Sequence, residues 1–386
     1  MEDSELISYE SLMSLGKETG GALLIREGFF VSHTLAEPAE PMQVMAECFY
    51  EGSEPPMIRF ELTAKGQSEP FYISHSYRMA QSGEYEQKNW RVPPILLSET
   101  TLTVRVEIPA ETKLYIRNLD VKCCEVVRDK LDGVRHNAHL GFWGMAPDNT
   151  APAFELAAKS GFAYCIAVPK VTKDGVLVCI HDDTINKTAR DKNGNPPEEP
   201  IYVWDKTYEE LCEWEYGSYK NEIYKGTSIP RLSEFFDICA RSGMKPMFST
   251  HPGLSVEQWG EVKEMLKSRG LLKYFHIKSF GIDILERAYS VFGSEIDGYT
   301  YDVGGWTPER VEQLKALGID TKTSRVGIEI QFDSYTEEIA KTIKDAGFFA
   351  SAWNVFRRDF REYERLISYG VTEFTEDYHC SMGLKF

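Results

Sequence analysis

The chain has 386 residues, 42% hydrophobic and 27% charged, the proportions of a globular protein with room for two domains. Its formal net charge of −17 repels nucleic acid and anionic membrane surfaces, so neither is expected as a partner and a phosphate-bearing ligand needs a local positive pocket. No run of about 20 apolar residues offers a membrane span. The start Met1-Glu2-Asp3-Ser4-Glu5 lacks the basic and apolar parts of a signal peptide, and the eight cysteines show neither zinc nor disulfide-framework spacing, so a reducing, cytoplasmic setting is expected, with other export routes left open.

Residues 1–20 read as a short helical or disordered lead. From 21 to 122 the pattern is all-β: 21–33, 42–50, 56–64, 70–79, 100–108 and 113–121 alternate or carry β-branched runs, and turn residues separate them. This spacing predicts a β-sandwich of jelly-roll type. The stretch 112–119 resembles the closing strand of carbohydrate-binding jelly rolls. Tyr77, Tyr85 and Trp90 either form a sugar platform or pack inward.

A charged linker, 123–135, follows. Beyond it the period changes. Strands at 136–140, 163–168, 246–250, 274–279, 297–302, 326–331, 348–353 and 372–376 alternate with helices near 150–160, 231–242, 255–268, 282–292, 307–317, 335–346 and 358–369. Eight such strands alternating with helices over 136–386 predict an α/β TIM barrel. A doubly wound open sheet shares the alternation, but no Gly-rich nucleotide loop follows its first strand. Residues 171–181 form an inserted hairpin.

Active sites of such barrels lie at the C-terminal ends of the strands. His139 ends the first strand and His181 ends the hairpin strand 176–180, so both face the mouth. Two histidines so placed can deprotonate a nucleophile and protonate a leaving group near neutral pH.

The motifs His139-Leu140-Gly141, Pro147-Asp148-Asn149-Thr150, Thr172-Lys173-Asp174-Gly175 and His181-Asp182-Asp183-Thr184 resemble, in order and spacing, those of the glycerophosphodiester phosphodiesterase family. The likeness continues through Ile229-Pro230-Arg231-Leu232-Ser233-Glu234, Ser279-Phe280, Ala352-Trp353-Asn354-Val355 and Thr375-Glu376-Asp377, and so spans nearly the whole barrel. It implies a barrel that cleaves phosphodiesters with two histidines and a divalent cation. His139 and His181 then take the acid and base roles, and Trp353 lines the pocket for the alcohol.

Three carboxylate positions of that pattern are lost. Counted back from Thr172, the metal-binding Glu and Asp fall on Ile166 and Val168; the third-strand Glu falls on Ser249, and the Arg of His-Arg-Gly is Leu140. A hard cation needs oxygen ligands, so no metal and no other cofactor is expected. Lys170, on the face of Ile166 and Val168, is the candidate replacement charge. His251 and Lys278 are further candidate phosphate contacts, Glu329 and Trp143 further substrate contacts, and Gln331 and Asp302 candidate polar contacts; Asp182 and Asp183 read as turn residues.

Two readings stay open. One is a metal-independent phosphodiester-cleaving enzyme, a hydrolase or a cyclising lyase. The other is a catalytically inactive barrel that binds a ligand or carbohydrate. Both imply a small phosphodiester or sugar-containing ligand, and neither fixes the oligomeric state.

Overall fold

The computed structural model describes residues 17–19, 22–39, 41–74, 76–123, 130–131, 134–250, 253–355 and 360–377. Most of the expected lead and parts of the linker lie outside them. The chain divides into two compact units, one of residues 1–127 with 357–364 and 378–386, the other of 128–356 with 365–377.

The first unit consists of two mostly antiparallel sheets. One joins Lys17–Thr19, Ala22–Ile25, Lys113–Cys123, Met42–Glu51, Gln81–Ser82 and Glu86–Val92; the other joins Phe29–Leu35, Thr100–Glu107, Met57–Thr63, Tyr72–Ile73 and Tyr77–Arg78. Their alternation sorts side chains by face: Met42, Val44, Ala46 and Cys48 are buried while their neighbours along the strand are not. The expected strand at 70–79 is two two-residue pieces. Residues 17–19 pair with Ala22–Ile25 rather than belonging to a lead. Glu86–Val92 escapes the sequence pattern because Glu86-Gln87-Lys88-Asn89 reads as a polar loop. It pairs with Met42–Glu51 along its whole length, and a 2.7 Å Lys88–Glu86 ion pair neutralises its inner charges. Tyr77 and Trp90 are both 1% exposed, which places them in the core and removes them as platform residues. Tyr85 stays half-buried, edge-on to Phe49 at 4.6 Å with Arg117 over its ring at 3.8 Å.

The second unit is a closed barrel of parallel strands: β1 (Val134–Ala138), β2 (Tyr164–Ala167), β3 (Lys245–Thr250), β4 (His276–Ser279), β5 (Gly298–Val303), β6 (Arg325–Gln331), β7 (Phe349–Val355) and β8 (Val371–Glu376), with β8 pairing back onto β1 through Ala138↔Glu376. A short strand, Lys130–Leu131, pairs with the start of β1, within the stretch read as linker. The helices between the barrel strands are α1 (Ala151–Ser160), α2 (Leu232–Ser242), α3 (Val256–Ser268), α4 (Ile282–Phe292), α5 (Glu309–Ala316), α6 (Glu337–Asp345) and α7 (Phe360–Tyr369), apart from a one-turn helix, Tyr208–Leu211, in the insertion. Helix α1 ends at Gly161, whose φ of 83° supplies the left-handed C-cap.

Between β2 and α2 the chain makes more than the expected hairpin. Pro169–Val171 and Leu177–Cys179 pair antiparallel, and the rest of the insertion folds on its own small core of Val178, Ile180, Ile185, Ala189, Val203, Leu211, Tyr216 and Ile229. Its valine, isoleucine and leucine side chains each stabilise by about 1.5–3 kcal/mol when fully buried. This core fixes the loop that begins at His181.

Candidate active site

His139 follows β1 directly, and its backbone N–H donates to the Glu376 carbonyl at 3.0 Å. The turn beyond it is tight. Leu140 and Gly141 take φ of 56° and 81°, and a Cβ on Gly141 would lie 2.6 Å from that of Ala153, so only glycine fits. Leu140, where the family pattern has arginine, is 3% exposed and holds a left-handed backbone that costs a non-glycine residue energy. That position supplies no charge.

Each histidine is oriented by a carboxylate. The Nδ1 of His139 lies 2.9 Å from Asp377 Oδ1, and Asp377 is 2% exposed. The Nδ1 of His181 lies 2.6 Å from Asp182 Oδ1, in a more exposed setting. A carboxylate only accepts, so each Nδ1 carries a proton and each Nε2 is the nitrogen that can exchange one with a substrate. A third histidine, His136, is buried inside β1 against Glu376 at 2.8 Å.

Two chains of contact join the His139 and His181 loops. In the first, the Asn149 N–H donates to the Leu140 carbonyl at 2.9 Å, the Val168 N–H donates to Asn149 Oδ1 at 2.9 Å, and the Ile180 N–H donates to the Val168 carbonyl at 3.0 Å. The second runs over side chains. The His139 and Trp143 rings meet edge-on at 6.0 Å; Lys187 Nζ stands 5.7 Å over the Trp143 ring and 4.0 Å from Asp182, which holds His181. The structure thus gathers His139, Trp143 and His181 at one rim. Sequence reasoning quoted Asp377 and Asn149 without giving them roles and missed Lys187, since none of its patterns covers a loop that an insertion carries back to the mouth.

Ile166 and Val168 are 0% and 3% exposed. Ile166 packs with Ala163, Tyr164 and Met247. These apolar side chains, with the hydroxyl of Ser249, do not fit a hard cation, and among the described residues no three His, Cys, Asp or Glu side chains are grouped to hold one. Lys170, 6% exposed, directs Nζ at Asp183 Oδ1 at 2.6 Å. Asp182 and Asp183, read as turn residues, therefore each bind a site side chain. His251 lies outside the described residues.

Two other expected contacts bind one another. Lys278 Nζ donates to Glu329 Oε2 at 2.5 Å and lies 3.6 Å from Asp302, all three in the barrel interior. Ser351 and Thr375 hydroxyls donate to Glu329 Oε1 at 2.8 and 2.6 Å. Burial opposes charge on Lys278, but the two carboxylates outweigh it and hold its pKa above the ordinary lysine value. Burial also raises Glu329, yet Lys278 and the hydroxyls prevail and keep it low. Burial, with Glu329 nearby, holds Asp302 well above the usual carboxylate range. The cluster is thus a Lys278–Glu329 ion pair beside Asp302, whose carboxyl burial pushes toward its protonated form. Trp353, half-buried near the end of β7, meets exposed Phe280 edge-on at 6.1 Å, and its Nε1 is buried with no hydrogen-bond partner among the described residues. Gln331 is its register neighbour on β6.

Comparison with known proteins identifies the family and the barrel fold. The chain is 38% identical over 95 residues to a putative glycerophosphodiester phosphodiesterase, YhdW, of Bacillus subtilis, covering 25% of this chain and 36% of that protein. It is 30% identical over 156 residues to a glycerophosphodiester phosphodiesterase of Bacillus altitudinis, covering 38% and 59%. The chain therefore spans less than two thirds of the length of these relatives. Among solved structures, a phosphodiesterase of Oleispira antarctica in complex with the product sn-glycerol-3-phosphate superposes with a TM-score of 0.55 at 23% identity, over 64% of this chain and 94% of that one. A putative glycerophosphoryl diester phosphodiesterase of Silicibacter pomeroyi does so at 0.55 and 20%, over 64% and 90%. The family model described as "Glycerophosphoryl diester phosphodiesterase family" matches residues 139–378, and the chain belongs to that family.

Proposed function

We propose that this chain cleaves phosphodiesters by acid–base catalysis between His139 and His181, without a divalent cation. One imidazole takes a proton from the attacking oxygen, which is water in a hydrolase or a neighbouring substrate hydroxyl in a cyclising lyase. That oxygen bonds to phosphorus, the bond to the alcohol oxygen breaks, and the other imidazole protonates the departing alcohol. Water or the product then returns both to their starting states. The observation that carries this reading is the pairing of each Nδ1 with a carboxylate, His139 with Asp377 and His181 with Asp182, which leaves both Nε2 atoms to exchange protons. Lys170, beside the apolar Ile166 and Val168, supplies positive charge where a family metal would stand. Trp353 and Trp143 border the alcohol.

The test is a panel of phosphodiesters offered to wild type, His139→Ala and His181→Ala, each with and without chelator. Turnover by wild type that persists in chelator and disappears in both variants supports the proposal. Loss on chelation with rescue by Ca²⁺ or Mg²⁺ removes the metal-free mechanism. Equal inactivity of all three proteins turns the reading to a ligand-binding barrel.

A further inference from the structure

The insertion that carries His181 also holds two aromatic rings out in solvent. Tyr202 lies extended, in a bridge with Thr184, and side chains along the strip 201–204 alternate. Ile201 packs against the insertion core and Val203 belongs to it, while Tyr202 and Trp204 turn outward. These two are 40% and 45% exposed, and their rings stack with centroids 5.0 Å and planes 26° apart. The strip is tied along its length. The Ile185 N–H donates to the Ile201 carbonyl and the Val203 N–H to the Asp183 carbonyl, both at 3.0 Å, and the Lys173 N–H donates to the Lys206 carbonyl at 2.8 Å. The rings therefore ride on backbone bonded to the residues that follow His181.

A single exposed aromatic is ordinary on a protein surface. Two that stack on each other concentrate apolar area at one place in water. Tyrosine and tryptophan each join an apolar body to a polar tip, the combination that sits at the boundary between lipid headgroups and acyl chains. The charges of the same stretch select the lipid. Glu198 and Glu199 precede the rings and Asp205 follows them, all three exposed, and Lys206 is paired with Glu210 at 3.2 Å. With a net charge of −17 on the whole chain, these carboxylates repel anionic lipid. They complement the ammonium groups of choline and ethanolamine headgroups, which aromatic faces also attract.

From this we infer that Tyr202 and Trp204 dock the chain on a zwitterionic phospholipid surface, and that the phosphodiester offered to His181 is one carried by a lipid of that surface. The docking stands on the rings and their acidic flanks. The substrate class rests on the phosphodiester reading of the mouth.

Vesicles of phosphatidylcholine are the probe, floated with wild type, Tyr202→Ser, Trp204→Ser, the double variant, Trp204→Phe and His139→Ala. Wild type should float with these vesicles and not with vesicles of phosphatidylglycerol. Loss of one ring should weaken binding about tenfold, and loss of both should weaken it further. Both rings lie outside the insertion core, so the serine variants should melt with wild type. Trp204→Phe keeps an apolar ring and should keep most of the binding. His139→Ala should float as wild type does while losing turnover, so failure of the catalytic reading and failure of this one are told apart. In the double variant, turnover of micellar lysophosphatidylcholine should fall with vesicle binding, and turnover of soluble glycerophosphocholine should not. No flotation of wild type, equal flotation of the double variant or a preference for the anionic vesicles overturns the inference. So does release from the vesicles by millimolar phosphocholine, which would make the site a headgroup pocket.

Discussion

Asn149 Oδ1 accepts the backbone N–H of Val168 at 2.9 Å, so the residue after Asp148 in the His139 loop grips a strand end where the family pattern has a metal-binding carboxylate. Val168 passes the tie on to Ile180, the residue before His181. One side-chain amide thereby registers the His139 and His181 loops. Asn149 also adopts a φ of 52°, which Asn tolerates better than most residues.

Asn149→Ala leaves the buried Val168 N–H without its acceptor and puts alanine in a left-handed conformation. The first effect costs about 1–3 kcal/mol and the second about 1–2 kcal/mol. Chemical denaturation should show a loss of that order, and kcat on any accepted phosphodiester should fall with it. An unchanged denaturation midpoint would show that the two loops are not registered by this residue.

Asp377→Asn keeps the shape beside His139 but replaces an acceptor-only oxygen pair by an amide that can also donate. The imidazole then loses its fixed tautomer, and Nε2 no longer holds the required proton state. General acid–base catalysis is worth about 10²–10⁴-fold, so kcat should fall toward that range while KM changes little. A matching rise in KM with kcat preserved would assign Asp377 to substrate binding instead.

The barrel was legible because its strands and helices differ in hydrophobic period, and each predicted strand lies within about two residues of the observed one. The loss of Ile166 and Val168 as ligands was legible because an apolar side chain cannot coordinate wherever it points. Lys278 and Glu329 were harder. Both sit at mouth-facing positions, yet pattern alone cannot tell a charge aimed at ligand from one neutralised across three strands. The hydrogen bond from Lys220 to the Trp143 carbonyl was not legible at all, since it joins residues about 77 positions apart in sequence through an insertion whose core has no regular period.

Lys278→Met tests the interior pair. It leaves Glu329 ionised and buried with only hydroxyl partners, and breaking one side of a buried pair costs about 3–5 kcal/mol. The double variant Lys278→Met/Glu329→Leu removes the stranded charge and should recover most of that loss. Thermal denaturation of both variants separates the two contributions. If the double variant is no more stable than the single, the pair does not act as a unit.

Asp302→Asn probes the acid beside that pair. Burial, and Glu329 beside it, raise the Asp302 carboxyl in the fold well above its ordinary value of 3.8, near which it ionises in the unfolded chain. Between these two values unfolding releases a proton, so rising pH favours the unfolded chain. The stabilising contribution is complete below about 3.8 and is lost as pH climbs to the folded value. Asparagine has nearly the shape of the protonated acid and no proton to release. Among the described residues Asp302 Oδ1 also has no hydrogen-bond partner to lose. The variant should therefore match wild type in acid and exceed it increasingly toward neutral and alkaline pH in melting temperature. Parallel pH profiles of stability for the two proteins would show that Asp302 is already ionised in the fold, with Lys278 then shared between two carboxylates rather than committed to Glu329.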